Sequence, residues 1–283
     1  MNHINYFTIT KYCLSKAKKF LFFGIFFFSM SVNSICHCNE NILFTPDFFK
    51  RLYRDFIELP STPAHFTKGE WIIAGSAVSL TAMSFLVDGE VHKNFAWNDN
   101  NPKLNKANQI VTRFGREYQI PIILGTWASG LIWNSPKLNK IAADSAESCF
   151  LAAGIIQPTL TYISGRDLPR TGEEPMKFRP FTLHRYSFPS GHTAAAFALA
   201  SAIDTNLRDV SGYWQTPLLY GMAVAVAQSR VYLESHYLSD VVLGAAIGWS
   251  VGSWVSKRPR ETDKSRLTLL PSTKGFMLTY SFR

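Results

Sequence analysis

The sequence is poor in charged residues and in cysteine. Asp, Glu, Lys and Arg together make up 17% of the 283 residues, whereas soluble proteins average about a quarter, so the composition favours an apolar helical domain. The 4 cysteines have the spacing of neither a disulfide framework nor a zinc site. We therefore expect no metal and no cofactor.

Dense blocks of one charge are also lacking. The net charge of +9 is spread along the chain, and no RNA- or DNA-binding motif is present, so we expect no nucleic-acid partner. Scattered positive charge suits an anionic lipid surface or a phosphate-bearing substrate.

Long apolar segments are scarce as well. Several candidate helices contain about a dozen apolar residues, whereas a membrane-spanning helix normally needs about twenty. Asp144 and Glu147 interrupt the third candidate helix, at about 141–164, and the mean hydropathy of the chain is near zero. The segment 88–117 is polar and is predicted to be a loop. Six apolar helices are predicted, at about 70–87, 118–133, 141–164, 191–206, 216–229 and 236–255.

The N-terminus is typical of a secretory leader. Four lysines precede an apolar core at residues 20–30 that is too short to span a membrane comfortably, and small residues suited to cleavage follow it. The alternatives are an uncleaved N-terminal anchor and, with weaker support, a lipoprotein anchor at Cys36. Residues 1–38 are therefore predicted to be a leader or anchor that takes the chain out of the cytoplasm.

Residues 39–69 are predicted to form an amphipathic helix and a connecting segment. Thr45 and Pro46 supply a cap and a proline at the first helical position. The apolar side of this helix packs on the protein's own core or lies on a membrane surface. This apolar side consists of Phe48, Phe49, Leu52 and Phe56.

Residues 70–256 would form the helical domain, and 257–283 a basic linker and a β-hairpin or extended tail.

The first of two chemically informative segments is Phe-Pro-Ser-Gly-His at residues 188–192. Ser190 occupies the position of an N-cap, and Gly191 and His192 open an Ala-rich apolar segment that is predicted to be a helix. A helix start of this kind presents free N–H groups, which bind phosphate and similar oxyanions. The segment therefore predicts an anion site with a histidine beside it.

The second segment is residues 229–240. Arg230 can bind an oxyanion through two guanidinium N–H groups. Ser235 is a candidate N-cap, which places His236 in the first turn of the last helix and Asp240 one turn later on the same face. An aspartate that accepts the Nδ1 proton would leave Nε2 of His236 free as a nucleophile.

These segments, PSGHT at 189–193 and SRxxxxxHxxxD at 229–240, resemble the second and third signatures of the type 2 phosphatidic acid phosphatase and vanadium haloperoxidase superfamily. The resemblance extends over residues 70–256. It implies an all-α fold, a six-helix bundle of the type 2 phosphatidic acid phosphatase kind, with a short C-terminal hairpin or an extended tail.

The first signature of that family, KxxxxxxRP, is incomplete. Thr161 stands where the family has lysine, Leu168 stands where it has arginine, and the proline is retained. Arg166 and Arg170 flank the gap, and we expect one of them to take over part of the phosphate contact. The alternative is a solvated basic loop.

The resemblance implies a metal-independent phosphatase that hydrolyses lipid phosphomonoesters or diphosphates through a phosphohistidine intermediate. His236 would attack phosphorus, Asp240 would orient His236, and His192 would protonate the leaving oxygen. The loop 165–188 would form the mouth of the site. The phosphate oxygens would be bound by Ser190, Gly191, Arg230, and Arg166 or Arg170.

Three other functions remain open at this point: a periplasmic broad-specificity acid phosphatase, a catalytically weak envelope protein that binds anionic lipid, and a vanadate-dependent haloperoxidase. The expected partners are a lipid phosphate and the membrane. The expected location is the bacterial cell envelope, at the inner membrane with the site facing the periplasm, or in the soluble periplasm. A cleaved leader conflicts with six spans, because three spans after residue 39 would carry the loop 165–188 inside.

Overall fold

A computed structural model describes residues 42–95, 101–182 and 187–258, together with the backbone of 265–272 and 275–282. The predicted leader or anchor at 1–38 lies outside these residues. The described chain forms a bundle of helices followed by two strands. The helices are α1 (Pro46–Glu58), α2 (Lys68–Phe95), α3 (Pro102–Val111), α4 (Gln119–Ile132), α5 (Pro136–Cys149), α6 (Gln157–Ser164), α7 (Gly191–Ser211), α8 (Thr216–Tyr232) and α9 (Leu238–Lys257).

Several shorter segments depart from regular α-helix. A π-helical segment, Phe150–Ile156, joins α5 to α6, so the stretch predicted as one helix at 141–164 is continuous but changes pitch. Turns of 3₁₀ helix occupy Leu59–His65, Thr112–Gly115 and Pro169–Thr171.

Three helices start by the same local rule. A capping side chain and a proline at the first helical position begin α1, α3 and α5, because proline lacks the N–H that a helix start leaves unbonded. Thr45 caps α1 as predicted. Asn101 Oδ1 accepts a hydrogen bond from Leu104 N at 3.1 Å and caps α3. This corrects the predicted loop at 88–117, where α2 continues to Phe95 and α3 follows.

Helices α7 and α9 are in close contact through small residues. A Cβ atom at Gly248 would lie 2.1 Å from the carbonyl oxygen of Ala194, so this approach requires glycine. Where the two helices begin, Ser190 N donates to Asp240 O at 3.0 Å. The contact therefore brings both chemically informative segments together at one end of the bundle. The glycines of α9 that face α7 are Gly244, Gly248 and Gly252.

Helix α2 has polar residues inside and apolar residues outside. Its buried residues are Thr81, Ser84 and Asp88, whereas Leu86 is 84% exposed and Ile72 is 69% exposed. A helix of a soluble protein has the opposite arrangement. Among the described residues, α2 and α9 are the helices long and apolar enough to cross a membrane. The outer side of α2 therefore suits a hydrocarbon environment better than water.

Buried charges connect α1, α5 and the far end of α9. Arg51 Nη2 donates to Val255 O at 2.7 Å, and Arg51 Nε lies 3.2 Å from Glu147 Oε2. Lys140 Nζ donates to Asp144 Oδ2 at 2.6 Å. The two carboxylates that interrupt the apolar stretch of the sequence are thus fully buried and paired with cations.

The apolar side predicted for α1 is divided between the interior and the surface. Phe48 is buried in a core cluster with Leu43 and Ile123, whereas Phe49 and Phe56 are exposed. Only part of this side packs on the protein's own core.

The tail forms a β-hairpin. Strands β1 (Ser265–Ser272) and β2 (Gly275–Phe282) are antiparallel, with Ser265 opposite Phe282 and Ser272 opposite Gly275. A helical bundle with a short C-terminal hairpin confirms the predicted fold class. The predicted domain boundaries stay predictions.

Candidate active site

The last helix begins later than the sequence predicts. Tyr237 is extended at the N-cap, with ψ 167°, and α9 starts at Leu238. His236 therefore lies in the turn before the helix and not in its first turn. The prediction that Ser235 caps this helix is wrong, because Asp240 Oδ2 accepts a hydrogen bond from Tyr237 N at 2.7 Å and caps it from within.

His236 is held by a backbone carbonyl and faces a carboxylate. Its Nδ1 lies 2.6 Å from the Ser187 carbonyl oxygen and 3.6 Å from Asp240 Oδ2, so the direct acceptor is Ser187 where the sequence suggests Asp240. A carbonyl only accepts hydrogen bonds, so Nδ1 carries the proton and Nε2 keeps its lone pair. Burial lowers the pKa of His236, although Asp240 opposes this shift. The neutral ring has a nucleophilic Nε2.

Asp240 belongs to a buried ion-pair network. Its Oδ1 accepts from Arg166 Nη1 at 2.5 Å, and its Oδ2 accepts from the Ser187 hydroxyl. Asp88, on α2, accepts from Arg166 Nη2 at 2.6 Å and from Ser239 N at 2.9 Å. One guanidinium between two carboxylates thus ties α2 to the start of α9 and fixes the position of the Asp240 carboxylate.

The side chain of Arg166 is enclosed by protein. It is 0% exposed, and its Nε donates to Pro175 O at 2.8 Å. The guanidinium carbon lies 4.2 Å from the centre of the Tyr237 ring and 4.8 Å from that of Phe85. This arrangement differs from the predicted phosphate contact of Arg166, because its donors face Asp88, Asp240 and backbone oxygen. Arg166 supports the carboxylate next to the histidine.

The start of α7 supplies N–H groups close to the second histidine. Ser190 is fully buried at the N-cap position, and its Oγ accepts from Thr193 Oγ1 at 3.0 Å. Its side chain makes no capping hydrogen bond. The first turn, which begins at Gly191, therefore keeps N–H groups that no capping side chain occupies, and such groups suit an oxyanion.

The second histidine is neutral in the absence of an anion. Partial burial lowers the pKa of His192 to about 3, and the charges of Arg230, of His236 when it is protonated, and of Arg116 act in the same direction. These are the charges that would attract an oxyanion. A bound oxyanion would offset them and raise the pKa of His192 again.

Arg230 is positioned by a residue from another part of the chain. Its Nη1 donates to Thr112 Oγ1 at 3.0 Å, and its buried Nε has no hydrogen-bond partner among the described residues. Burial, followed by the charge of Arg170, lowers the pKa of Arg230 to about 10, whereas Glu117 raises it. The guanidinium therefore stays protonated at neutral pH and has a donor available to an anion.

Arg170 lies at the mouth of the same site. Its backbone N donates to Glu234 O at 3.2 Å, and its side chain is exposed and close enough to influence Arg230. The position of the missing family lysine is filled by buried Thr161, which accepts from Gln157 Nε2 at 2.8 Å. Of the two arginines that flank the incomplete signature, Arg170 has an exposed side chain, whereas Arg166 is buried between two carboxylates.

Four contributors were missed by the sequence reasoning. Asp88 directly follows the predicted helix 70–87, and a lone carboxylate there was a signal that could have found it. Ser187 acts through its carbonyl and hydroxyl groups, and the carbonyl has no sequence signature. Thr112 and Arg116 lie in the segment predicted to be a loop. Among the described residues, no cluster of His, Cys, Asp and Glu side chains forms a metal site.

These features define a class of protein: a helical bundle that brings two histidines, the start of a helix and several cations close to one another. Residues 146–263 match the model of the PAP2 superfamily. This match confirms the resemblance to that superfamily seen in the two sequence segments.

Three relatives are informative. An undecaprenyl-diphosphatase of Sulfolobus acidocaldarius is 28% identical over 196 residues, covering 66% of this chain and 87% of that protein. The lipid A 1-phosphatase of Porphyromonas gingivalis is 37% identical over 83 residues, covering 28% of this chain and 18% of that protein. The lipid A 4'-phosphatase of the same organism is 32% identical over 73 residues, covering 26% and 30%. The chain thus spans less than a third of either lipid A phosphatase.

Two solved structures are similar to the chain. One is the transmembrane PAP2 type phosphatidylglycerolphosphate phosphatase of Bacillus subtilis, with a TM-score of 0.42 and 20% identity, covering 73% of this chain and 92% of that one. The other is LpxE of Aquifex aeolicus, with a TM-score of 0.44 and 23% identity, covering 60% and 94%.

Proposed function

We propose that this protein is a phosphoric ester hydrolase that releases phosphate from lipid phosphomonoesters or diphosphates. The observation that carries the proposal is an apolar groove whose wall includes Val231 and Leu238, near neighbours in the sequence of Arg230 and His236. The relatives named for undecaprenyl diphosphate and lipid A agree with a lipid substrate. The groove favours a lipid over the soluble esters of a broad-specificity acid phosphatase.

The groove has a volume of about 430 Å³ and lies between α2, α7, α8 and α9. This volume is within the range of about 300–1,000 Å³ that ligand sites occupy. Val231, in its wall, directly follows Arg230, and Leu238 follows His236 by two residues. A phosphate held by the arginine would therefore place the attached hydrocarbon chain at the groove. The other lining residues are Val91, Phe95, Phe197, Val224, Ala227, Gln228, Val241, Val242 and Ala245.

The reaction proposed for this geometry has two steps. Nε2 of His236 attacks phosphorus, the P–O bond to the lipid breaks, and His192 gives its proton to the leaving oxygen. Water then attacks the phosphohistidine, His192 accepts a proton from that water, and the N–P bond breaks to release phosphate. Arg230, Arg170 and the N–H groups at the start of α7 would neutralise the phosphate oxygens, the charges that dominate phosphoryl transfer.

We further propose that the bundle lies in a membrane of the cell envelope. Helices α2 and α9 meet the length and composition of membrane spans, and the exposed apolar side of α2 would otherwise face water. A lipid in the same membrane would reach the groove from the side without leaving the bilayer. Because the site adjoins Asp88 near the C-terminal end of α2, a site that faces the periplasm requires the start of α2 to lie on the inner side, which a cleaved leader would not provide.

Filling the groove is expected to separate lipid from soluble substrates. Ala227→Trp should lower kcat/KM for a lipid phosphate about tenfold, because excluding roughly two methylene groups costs about 1.6 kcal/mol. Hydrolysis of p-nitrophenyl phosphate should not change, since this ester does not occupy the groove. Phosphate release from both substrates would be measured on the purified chain.

Met222→Trp is the matched control, because Met222 lies on the same helix, is exposed and does not line the groove. Equal losses with the lipid and the soluble ester in Ala227→Trp would contradict the assignment of the groove. Wild-type protein that hydrolyses the soluble ester but no lipid phosphate would instead support the acid phosphatase.

Anion binding is expected to be accompanied by proton uptake at His192. Because the pKa of His192 is about 3 in the empty site, the ring is neutral at pH 6 and gains up to about one proton when a dianion arrives. Tungstate, a tetrahedral dianion at this pH, is a suitable probe. Calorimetry in buffers of different ionisation enthalpy would count the protons, and His192→Asn should abolish the uptake. Unchanged uptake in that variant would assign the proton to another group.

A further inference from the structure

The turn between α3 and α4 forms a wall of the active site. Thr112, at its first residue, accepts the hydrogen bond that positions Arg230. At its last residue, a Cβ atom on Gly115 would lie 2.9 Å from both Cβ and O of His192 and 2.8 Å from Val226 Cγ1. The backbone of this turn therefore packs directly on His192, and the side chain of Thr112 accepts a hydrogen bond from Arg230.

The next residue, Arg116, adds a positive charge directly after this turn. Its backbone N donates to Arg113 O at 3.1 Å, which closes the turn, and its side chain is exposed. Its charge reaches two groups of the anion site, because it lowers the pKa of both His192 and Arg230. Among the described residues, no hydrogen bond or ion pair joins its guanidinium to the protein.

The site needs such a charge. The incomplete first signature has Thr161 and Leu168 at the two positions where the family pattern implies a positive charge, and Arg166 is buried between two carboxylates. Without further cations, the full positive charges that meet the oxygens of a phosphate would be those of Arg230 and Arg170, in addition to the N–H groups at the start of α7. Electrostatic stabilisation of the developing charge is usually the largest single contribution to catalysis.

We infer that Arg116 binds the phosphate group of the substrate and, with Arg170, supplies the positive charge that Thr161 and Leu168 do not provide. The inference rests on the proposed phosphatase function for its biological meaning. Its structural content is separate: the turn 112–116 is a fourth contributor to the anion site, in addition to the segments 165–170, 188–192 and 229–240.

Tungstate binding to the full-length protein tests the inference without relying on turnover. Arg116→Gln should weaken binding about 10- to 100-fold, which is the range for removal of one charge-assisted hydrogen bond. Arg116→Lys should restore part of the affinity, because it keeps the charge and loses only the planar fork. Calorimetry on the three proteins gives the dissociation constants.

Arg113→Gln is the matched control, because Arg113 is an exposed arginine of the same turn and is not among the charges that shift the pKa of His192 or Arg230. It should bind tungstate as the wild type does. Equal weakening in Arg113→Gln and Arg116→Gln, or wild-type affinity in Arg116→Gln, would overturn the inference. A wild-type protein that binds tungstate but hydrolyses no ester would defeat the proposed function and leave the role of Arg116 intact.

Discussion

His236→Ala is expected to reduce phosphate release by more than about a thousandfold, because loss of a nucleophile removes the covalent route altogether. The structure gives the reason at the level of single atoms. The Ser187 carbonyl fixes the proton on Nδ1, so only Nε2 can attack. Phosphate release from lipid and soluble esters would measure the loss.

The intermediate gives a second measurement. Wild-type protein mixed with substrate and quenched under conditions that preserve phosphohistidine should carry one phosphoryl group on His236, detected by mass spectrometry of its peptides. His65→Ala is the matched control: this histidine lies in the exposed segment after α1, and its variant should keep both activity and the phosphoryl group. A phosphoryl group found on His192 would show that the two histidines have the opposite roles.

How much of this site could be predicted from the sequence depends on whether side-chain or backbone atoms form it. Side chains in a local pattern can be found: His192, Arg230 and His236 are predicted from two short segments, and the structure brings all three together. The glycines that allow α9 to approach α7 are also in the sequence. Their effect, however, appears only when the facing backbone of α7 is known, because a close approach is a property of two helices.

The remaining contributors escape prediction for physical reasons. The acceptor for His236 is a backbone oxygen, and every residue has one. Asp88 is far from Asp240 in the sequence, and only the packing of α2 against α9 places a guanidinium between them. His236 lies before the helix because the carboxylate of Asp240 caps it from within, an alternative that competes with the expected cap at Ser235.

Arg166 shows the same limit most clearly. The sequence supplies its charge and its closeness to the incomplete signature, and both fit a phosphate contact. The burial of the Arg166 side chain instead favours contacts with protein carboxylates. A guanidinium with no exposed surface, held between Asp88 and Asp240, neutralises protein charge and has little left to offer a substrate.

Arg166→Met is therefore expected to destabilise the fold by about 3–5 kcal/mol, the cost of removing one partner of a buried ion pair. The variant leaves Asp88 and Asp240 facing each other without the cation between them, and methionine fills the space but donates no hydrogen bond. Arg166→Lys should fall between the wild type and this variant, because one ammonium group cannot reach two carboxylates and the Pro175 carbonyl together. Thermal unfolding midpoints of the purified proteins would rank the three.

Arg170→Gln is the matched contrast, because Arg170 is exposed and has no side-chain partner among the described residues. It should unfold at the wild-type temperature and bind tungstate about tenfold or more weakly, as expected when a charged ligand loses one donor. If Arg166→Met does not fold, Asp88→Asn tests the same network more gently, since an amide keeps one hydrogen bond to the guanidinium while losing the charge. Wild-type stability with lost tungstate binding in Arg166→Met would show that this arginine faces the substrate. Lost stability in Arg166→Met, together with wild-type stability and weakened tungstate binding in Arg170→Gln, would mean that the two arginines have different roles. Although they are near neighbours in the sequence, the buried Arg166 stabilises the fold and the exposed Arg170 binds the anion.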